Sequence, residues 1–378
     1  MALEAPTSGT SPRPPLVLMG ADTMDRCGFA IRDQLPETRD AIILSGPTPA
    51  RIHKSRVVTS LKAAGFRTRL RVLPPGEGTK DFKLVSRICA ELAEAEVDRS
   101  ALVVGLGGGV VIDFAGFVAS SYLGGMPLLQ IPTTLVAQVD AAVGGKCAIS
   151  MAPGKNNVGT IYPASQVVID TGCLTTLSRG QIASGAAEVV KFAALFDEAF
   201  LGWLEARAST LLEGHLADLA HAVERSVALK SQAMVEDPAG VREQEYLCFG
   251  HRLAGVIETL SAPHGPAHGE ALAVGMSFAT HLGELSGTTD PALGARVRGI
   301  LRSFGLPTTL PPLDHEVLRQ AMKHDSEGVN GRRRFVLLER IGKPVLRDDL
   351  PDELIAEALR WTRAFAAGSH PSMVAGTS

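Results

Sequence analysis

Two histidines and one glutamate are the side chains best suited to hold a divalent cation. His251 ends the segment FGH, His268 begins the segment HGE, and Glu188 lies inside the apolar segment GAAEVVK. A set of two histidines and a carboxylate suits Zn²⁺ and leaves one coordination position open for a substrate oxygen. Their linear spacing matches no short zinc signature, and a structural residue of the core or the surface is the alternative interpretation for each histidine.

Glu188 and Lys191 form a second candidate group, three residues apart in one apolar stretch. On a helix this spacing places them on the same face, where an ion pair would account for both. Their neighbours are so apolar that burial is expected, and a buried charge needs a partner or a metal.

A glycine-rich segment, GLGGGVVID at residues 105–113, follows an apolar run at 101–105 and precedes a helical pattern at 114–121. Glycines there allow backbone N–H groups to approach a phosphate, and a helix N-terminus favours negative charge. The spacing differs from the GxGxxG dinucleotide signature. A tight strand-to-helix turn is the alternative interpretation.

Two further segments bring cations close to polar groups. The first carries Thr133 and Thr134, then Asp140, then Lys146 after a pair of glycines. The second is the turn PGKNN at 153–157. Lys146 could reach a substrate anion, and the alternative is that it is a solvated loop lysine. For the PGKNN segment the alternative is a surface turn without a binding role.

Short apolar runs alternate with helical patterns in the first half of the chain. The runs read as buried strands at 15–19, 41–45, 68–73 and 101–105, separated by helices at 51–64 and 80–95. This alternation predicts a parallel sheet with crossover helices. Beyond about residue 180 the patterns are helical, at 181–208, 211–235, 243–260, 269–285 and 292–303, with one strand at 334–338. We therefore expect loose tails at 1–14 and 369–378, an α/β domain at 15–180 and a mostly helical domain at 181–368.

Composition narrows the class of protein. The 378 residues carry a net charge of −3, which argues against a nucleic-acid or membrane-surface binder. No stretch of 18 apolar residues occurs, so we expect no transmembrane helix. Five widely spaced cysteines without a CxxC pair argue against a disulfide framework and fit a reducing cytoplasm.

Taken together, these segments resemble the dehydroquinate synthase family, within the wider group of sugar phosphate cyclases. The resemblance runs from about residue 75 to residue 340. Its markers are PGE with Lys80, GLGGGVVIDFAGFVASSY, IPTTLVAQVDAAVGGK, GKNNVG, SGAAEVVK, FGH, HGEALAVGM and RFVLLERIG.

The resemblance implies a Rossmann-like α/β domain that binds NAD, a mostly α-helical domain that binds a metal, and an active site in the cleft between them. It implies zinc or cobalt on Glu188, His251 and His268, with His264 as a nearby competitor for the last position. It implies NAD contacts from Glu77, Lys80, Gly108, Gly109, Val110, Asp113, Thr133, Thr134, Asp140, Lys155 and Thr176. Substrate contacts would come from Asp140, Lys146, Asn156, Lys191 and Lys230. A homodimer is also implied.

The family's chemistry is a sequence of oxidation, phosphate elimination, reduction and intramolecular aldol ring closure. NAD is regenerated within each turnover and so acts as a catalyst. The metal would lower the pKa of the hydroxyl that is oxidised. The lysines among the substrate contacts would hold the anionic groups of the substrate.

The chain departs from the family where substrate anions would bind. The family has an arginine at the positions of Gln244 and Gly124, an asparagine at Cys248 and a histidine at Gly255. Near its C-terminal end the family pattern has Asp-Lys-Lys, and this chain has Asp-Ser-Glu at 325–327. Arg242 is a candidate to replace the arginine that is missing at Gln244. Gly46 stands where the family usually has an aspartate after the second strand.

Three interpretations remain open. The first is a 3-dehydroquinate synthase that acts on 3-deoxy-D-arabino-heptulosonate 7-phosphate with unusual anion ligands. The second is a divergent cyclase of secondary metabolism that uses sedoheptulose 7-phosphate, glucose 6-phosphate or another sugar phosphate. The third is a noncatalytic paralogue that binds NAD and metal.

Overall fold

A computed structural model of the chain describes residues 15–151, 154–236, 243–262, 264–323 and 333–364. The chain divides into two compact units. The first comprises the residues up to Val189 together with Thr210–Glu243, and the second comprises Val190–Ser209 and the residues from Gln244 onward.

The first unit is built on a six-stranded sheet in which every pairing is parallel. The strands of the unit are β1 (Leu16–Gly20), β2 (Asp40–Ser45), β3 (Arg67–Val72), β4 (Leu102–Gly107), β5 (Leu128–Pro132), β6 (Lys146–Met151), β7 (Gly154–Ile161) and β8 (Gln166–Asp170). The sheet order is β1-β8-β5-β4-β2-β3. Strands β4, β5 and β8 are buried along their whole length, as expected for strands covered on both faces. The expected α/β architecture is confirmed.

The helices in the chain up to residue 236 are α1 (Cys27–Arg32), α2 (Pro47–Ala63), α3 (Phe82–Glu94), α4 (Gly109–Ser121), α5 (Arg179–Phe196), α6 (Glu198–Leu212) and α7 (Leu216–Glu236). Helix α4 begins five residues before the predicted start at 114. Gly108 is its N-cap, with an extended backbone. A β-carbon on Gly105 would lie 2.9 Å from that of Ala115, so small residues let α4 pack closely against β4. This packing outweighs the low helix propensity of Gly109.

The helix predicted at 181–208 is two helices, because Asp197 interrupts it. The Asp197 carboxylate accepts a hydrogen bond from the backbone N–H of Phe200, at 3.0 Å. Aspartate is a preferred N-cap residue, so a new helix begins directly after it. Helix α5 belongs to the first unit up to Val189 and to the second unit from Val190.

Strands β6 and β7 form an antiparallel hairpin outside the main sheet, which the sequence patterns did not predict. The hairpin packs against α4. A five-residue π-helix, Ala137–Ala141, precedes β6. Such short π-helical turns are frequent at functional sites, and this one carries Asp140.

The second unit is mostly helical, as expected. Its remaining elements are α8 (Glu243–Tyr246), α9 (His251–Ser261), α10 (His268–Leu285), α11 (Pro291–Ser303), α12 (His315–Lys323), β9 (Phe335–Arg340), β10 (Lys343–Arg347) and α13 (Asp352–Ala364). Helix α10 is the centre of the unit, since it is buried over most of its length and packs against α9, α11, α13 and β9.

One expectation for this unit is wrong, and one is confirmed. The single helix predicted at 243–260 is broken before His251 by Gly250, whose φ of 81° is left-handed. The strand predicted at 334–338 is observed as β9, and it pairs with β10, a strand that was not predicted. No described helix combines the length and apolar composition needed to cross a lipid bilayer.

Candidate active site

Three potential metal ligands come together. One ligand atom from each of Glu188, His251 and His268 lies within 4.8 Å of the other two, and Glu188 is fully buried. Two imidazoles and a carboxylate are the donor set that Zn²⁺ accepts with an open position. Among the described residues this is the one such group, and it contains His268 rather than the exposed His264. The donor atoms therefore fit a divalent cation.

Both histidines are the first residues of helices in the second unit. His251 begins α9 after the left-handed Gly250, and His268 begins α10. Their ring centroids are 5.7 Å apart, with an angle of 49° between the planes. The Glu270 carboxylate accepts a hydrogen bond from the Ala267 N–H at 2.7 Å, which caps the start of α10. The glutamate of the HGE segment is thus a capping residue.

A further carboxylate, Glu258, lies beside His268. The distance from His268 Nδ1 to Glu258 Oε1 is 3.0 Å, and the Glu258 side chain is largely buried. No sequence motif quoted above includes this residue. The available signal was its position seven residues after His251, two turns further along the same helix face.

Glu188 and Lys191 both lie on α5, and both are buried. The Lys191 ammonium lies 4.7 Å from the centroid of the Phe192 ring, within the range of a cation–π contact. Gly185 allows close packing of this helix, because a β-carbon there would lie 2.5 Å from the Leu135 β-carbon.

The glycine-rich segment lies at the carboxyl end of β4, beside the ends of β2 and β5. Thr133 donates its backbone N–H to the Gly107 carbonyl at 2.9 Å, and a β-carbon on Gly108 would lie 3.2 Å from Thr134 Cγ2. Val110 lies in the first turn of α4 and is half-buried. Parallel sheets bind nucleotides at such an edge, where neighbouring connections run in opposite directions. Here that point lies between β2 and β4.

Lys80, Asp113 and Asn156 are in direct contact in the first unit. The buried Lys80 ammonium donates to the Asp113 carboxylate and to Asn156 Oδ1, the latter at 2.8 Å. Burial raises the pKa of Asp113, and the neighbouring Lys80 opposes that effect. Lys155 Nζ lies 3.9 Å from a carboxylate oxygen of Glu77, in a more exposed pair.

Asp140 and Lys230 form a second pair. Lys230 Nζ, on α7, lies 2.6 Å from both the carboxylate and the backbone carbonyl of Asp140. This double contact ties α7 to the π-helical turn. Lys146 is exposed at the start of β6, and the Thr176 hydroxyl donates to the Cys173 carbonyl at 2.7 Å.

The positions that depart from the family pattern are only partly described. Arg242, the Gln244 side chain and residues 325–327 lie outside the described residues. Cys248 is half-buried, and its carbonyl accepts the His251 N–H at 2.9 Å. A β-carbon on Gly255 would meet nothing within 4 Å, whereas Gly124 has a left-handed φ of 75°.

Comparison with known proteins gives a consistent assignment. Models of the 3-dehydroquinate synthase N-terminal and C-terminal regions match residues 70–184 and 185–328. A 3-dehydroquinate synthase of Citrifermentans bemidjiense is 37% identical over 324 residues, which are 86% of this chain and 89% of the relative.

Two solved structures share the fold. The 2-epi-5-epi-valiolone synthase of Streptomyces hygroscopicus, with NAD⁺ and Zn²⁺ bound, has a TM-score of 0.86 at 24% identity and covers 98% of this chain and 100% of its own. A 2-deoxy-scyllo-inosose synthase, complexed with carbaglucose-6-phosphate, NAD⁺ and Co²⁺, has a TM-score of 0.81 at 21% identity. The match covers 92% of this chain and 99% of that synthase. At these identities the likeness shows the fold alone.

The sequence relatives carry the family assignment, since they match most of the chain at well over 30% identity. The enzyme class that accompanies this family is a phosphate-eliminating carbon–oxygen lyase. The chain therefore belongs to the 3-dehydroquinate synthase family.

Proposed function

We propose that this enzyme converts 3-deoxy-D-arabino-heptulosonate 7-phosphate into 3-dehydroquinate and phosphate, using NAD and a divalent metal. The observation that carries the proposal is the convergence of Glu188, His251 and His268. The curated relatives named 3-dehydroquinate synthase support the choice of substrate.

Glu188, His251 and His268 would hold the zinc or cobalt ion. NAD would lie along the carboxyl ends of β2 and β4, with its phosphates at the glycine-rich segment and its further contacts from the residues that the family resemblance implies. When bound, the cation supplies Lewis acidity, and NAD accepts a hydride and returns it.

The side chains of the chain would hold the substrate and orient its reacting groups. Lys230 fixes the Asp140 carboxylate, which we assign to accept a hydrogen bond from the hydroxyl that is oxidised. We assign Lys146, Lys191 and Asn156 to the anionic groups of the substrate. The buried Lys80–Asp113 pair would support the cofactor side of the site.

A second candidate is a cyclase for another sugar phosphate, such as sedoheptulose 7-phosphate or glucose 6-phosphate. It is favoured by the glycines at positions 124 and 255 and the cysteine at 248, where the family pattern has anion- and ring-binding side chains. A hydrogen bond to a charged group contributes about 1.5–3 kcal/mol. The loss of several such bonds would weaken binding of the usual substrate by orders of magnitude, unless other groups compensate.

Phosphate release separates these candidates. The purified protein, with NAD and either Zn²⁺ or Co²⁺, would receive the heptulosonate phosphate, sedoheptulose 7-phosphate and glucose 6-phosphate in parallel. Release from the first alone supports the proposal, and release from either of the others supports the second candidate. A folded protein that binds NAD but releases phosphate from none of the three would contradict both and favour a noncatalytic paralogue.

His251→Ala tests the metal site directly. The variant should lose bound metal and turnover while NAD affinity stays near that of the unchanged protein. Full activity with a normal metal content would overturn the ligand assignment.

We also propose a cytoplasmic homodimer. All five cysteines, each within the described residues, are free thiols, which suits a reducing compartment. Light scattering should give twice the chain mass of 39.7 kDa.

A further inference from the structure

We propose that Glu258 is a positioning residue for the metal site: it accepts the Nδ1 proton of His268 and thereby directs Nε2 of that ring toward Glu188 and His251. This inference rests on the proposed metal site. Neither the family motifs quoted above nor the donor group itself includes Glu258.

The contact between the two side chains has hydrogen-bond geometry. Glu258 Oε1 lies 3.0 Å from His268 Nδ1, within the range for a nitrogen donor and a carboxylate acceptor. The Glu258 side chain is 14% exposed, so water competes weakly for this bond. A neutral imidazole carries one proton, and a carboxylate beside Nδ1 keeps that proton on Nδ1. Nε2 is then the nitrogen with a lone pair for a cation.

The helix that carries Glu258 also carries His251. The two residues are seven positions apart on α9, so they lie on the same face two turns apart. Helix α9 packs against α10, whose first residue is His268. One helix face thus supplies a ligand at one end and, at the other, the group that orients a second ligand. A carboxylate behind a ligating histidine fixes its orientation and raises its basicity.

Another pair on α10 provides a matched control. His281 Nδ1 lies 2.7 Å from Glu284, and both side chains are as buried as Glu258, at 12% exposure. This pair makes the same imidazole–carboxylate contact, with Glu284 also bound by Arg298 at 2.9 Å, but His281 is not a member of the donor group. A purely structural contribution of a buried His–Glu contact should therefore be seen in both pairs.

Metal affinity is the decisive measurement. The dissociation constant of the full chain for Zn²⁺ would be measured by competition with a chromophoric chelator, without substrate or NAD. Glu258→Ala should weaken binding roughly 10- to 100-fold. Glu258→Gln keeps an acceptor but loses the charge, so it should lie between Glu258→Ala and the unchanged protein. Glu284→Gln should stay within twofold, and His268→Ala should abolish the site.

The tautomer of His268 gives a second readout. In protein with ¹⁵N-labelled histidine, the ring shifts of His268 should report the Nδ1–H form, and Glu258→Ala should reduce its population. Each variant would be compared by thermal unfolding of the metal-free protein.

The outcomes separate the inference from the proposed site. If His268→Ala loses Zn²⁺ while folded Glu258→Ala binds it within twofold of the unchanged protein, Glu258 has no positioning role. If His268→Ala itself retains the affinity, the metal assignment fails. Equal losses in Glu258→Gln and Glu284→Gln would also overturn the inference, because they would show a general effect of removing a buried carboxylate.

Discussion

The carbonyl oxygen of Gly250 occupies the place where residue 275 would carry a side chain. A β-carbon built on Gly275 would lie 1.9 Å from that oxygen, and one on Gly250 would lie 2.6 Å from the Met276 nitrogen. The start of α9 therefore touches the backbone of α10 directly. This contact determines where His251 stands relative to His268, and it explains why both the FGH and HGEALAVGM segments contain these glycines.

Gly275→Ala should displace the start of α9. We expect a loss of about 3 kcal/mol in the free energy of unfolding, because two backbones must separate. Zn²⁺ affinity should fall with it, since His251 moves. The control is Gly255→Ala on the exposed face of α9, which meets no atom within 4 Å and should gain up to about 1 kcal/mol. Urea denaturation and zinc titration would measure both effects. An unchanged zinc affinity in Gly275→Ala would contradict this account.

Lys80→Met should leave the largely buried Asp113 carboxylate without its cation. Breaking a buried ion pair from one side costs about 3–5 kcal/mol. The double variant Lys80→Met with Asp113→Asn should recover most of the stability but not the affinity for NAD⁺. Denaturation and fluorescence titration would separate the two effects. Lys155→Met, from the exposed pair with Glu77, should change stability by no more than about 1 kcal/mol. If the double variant regains NAD⁺ affinity, the Lys80–Asp113 pair is not part of the cofactor site.

Gly46→Asp should increase the preference of the protein for NAD⁺ over NADP⁺. Gly46 has an ordinary extended backbone, with a φ of −71°, and a β-carbon there would meet Pro49 and Val111 at normal contact distances of 3.6 and 3.7 Å. An acid at this strand end can bind the ribose 2′-hydroxyl and repels a 2′-phosphate. We expect roughly tenfold tighter binding of NAD⁺ and weaker binding of NADP⁺, a change of about 1.4 kcal/mol. Calorimetry with both cofactors would measure it, with Gly299→Asp on α11 as the control. Equal changes for the two cofactors would place the ribose elsewhere.

Cys248→Asn combined with Gly255→His should raise kcat/KM on the heptulosonate phosphate. The variant restores two side chains of the family pattern, and the open space at Gly255 accommodates one of them. Cys248→Ala with Gly255→Ala is the matched control and should give no gain. Gly124→Arg belongs in a separate variant, because the left-handed backbone at Gly124 would cost a side chain about 1–2 kcal/mol. No gain in the folded double variant would mean that the substrate pocket differs more widely.

Native thiol labelling should miss three of the five cysteines. Burial raises the pKa of Cys27 to about 11 and that of Cys147 and Cys173 to about 12. Because only the thiolate reacts, a pKa of 12 leaves about one molecule in ten thousand reactive at pH 8, and the fraction grows as pH rises toward the pKa. Mass mapping after iodoacetamide treatment should find these residues modified only in the denatured protein. Rapid native labelling of Cys147 or Cys173 would contradict their burial.

Local patterns determined much of the fold. Apolar runs such as 41–45 and 101–105 form buried parallel strands because such runs must be covered on both faces. The glycine-rich segment at 105–113 connects its strand to its helix in the predicted order, because turn chemistry depends on the residues of the turn itself, although α4 already begins at Gly109. Helix boundaries were harder to predict from the sequence, as the breaks at Asp197 and Gly250 show. Each break depends on one residue within an otherwise continuous helical pattern.

The sequence by itself determined the parallel α/β unit, the helical unit and the residue types available for metal and phosphate binding, because these follow from periodicity and local chemistry. Only the tertiary structure decided which of those residues meet. Lys80, Asp113 and Asn156 are far apart in the chain and touch because α3, α4 and the β6–β7 hairpin pack together. The contact of Glu258 with His268 likewise depends on two helices whose backbones meet at Gly250 and Gly275. Such contacts are set by packing between distant segments, which no local pattern encodes.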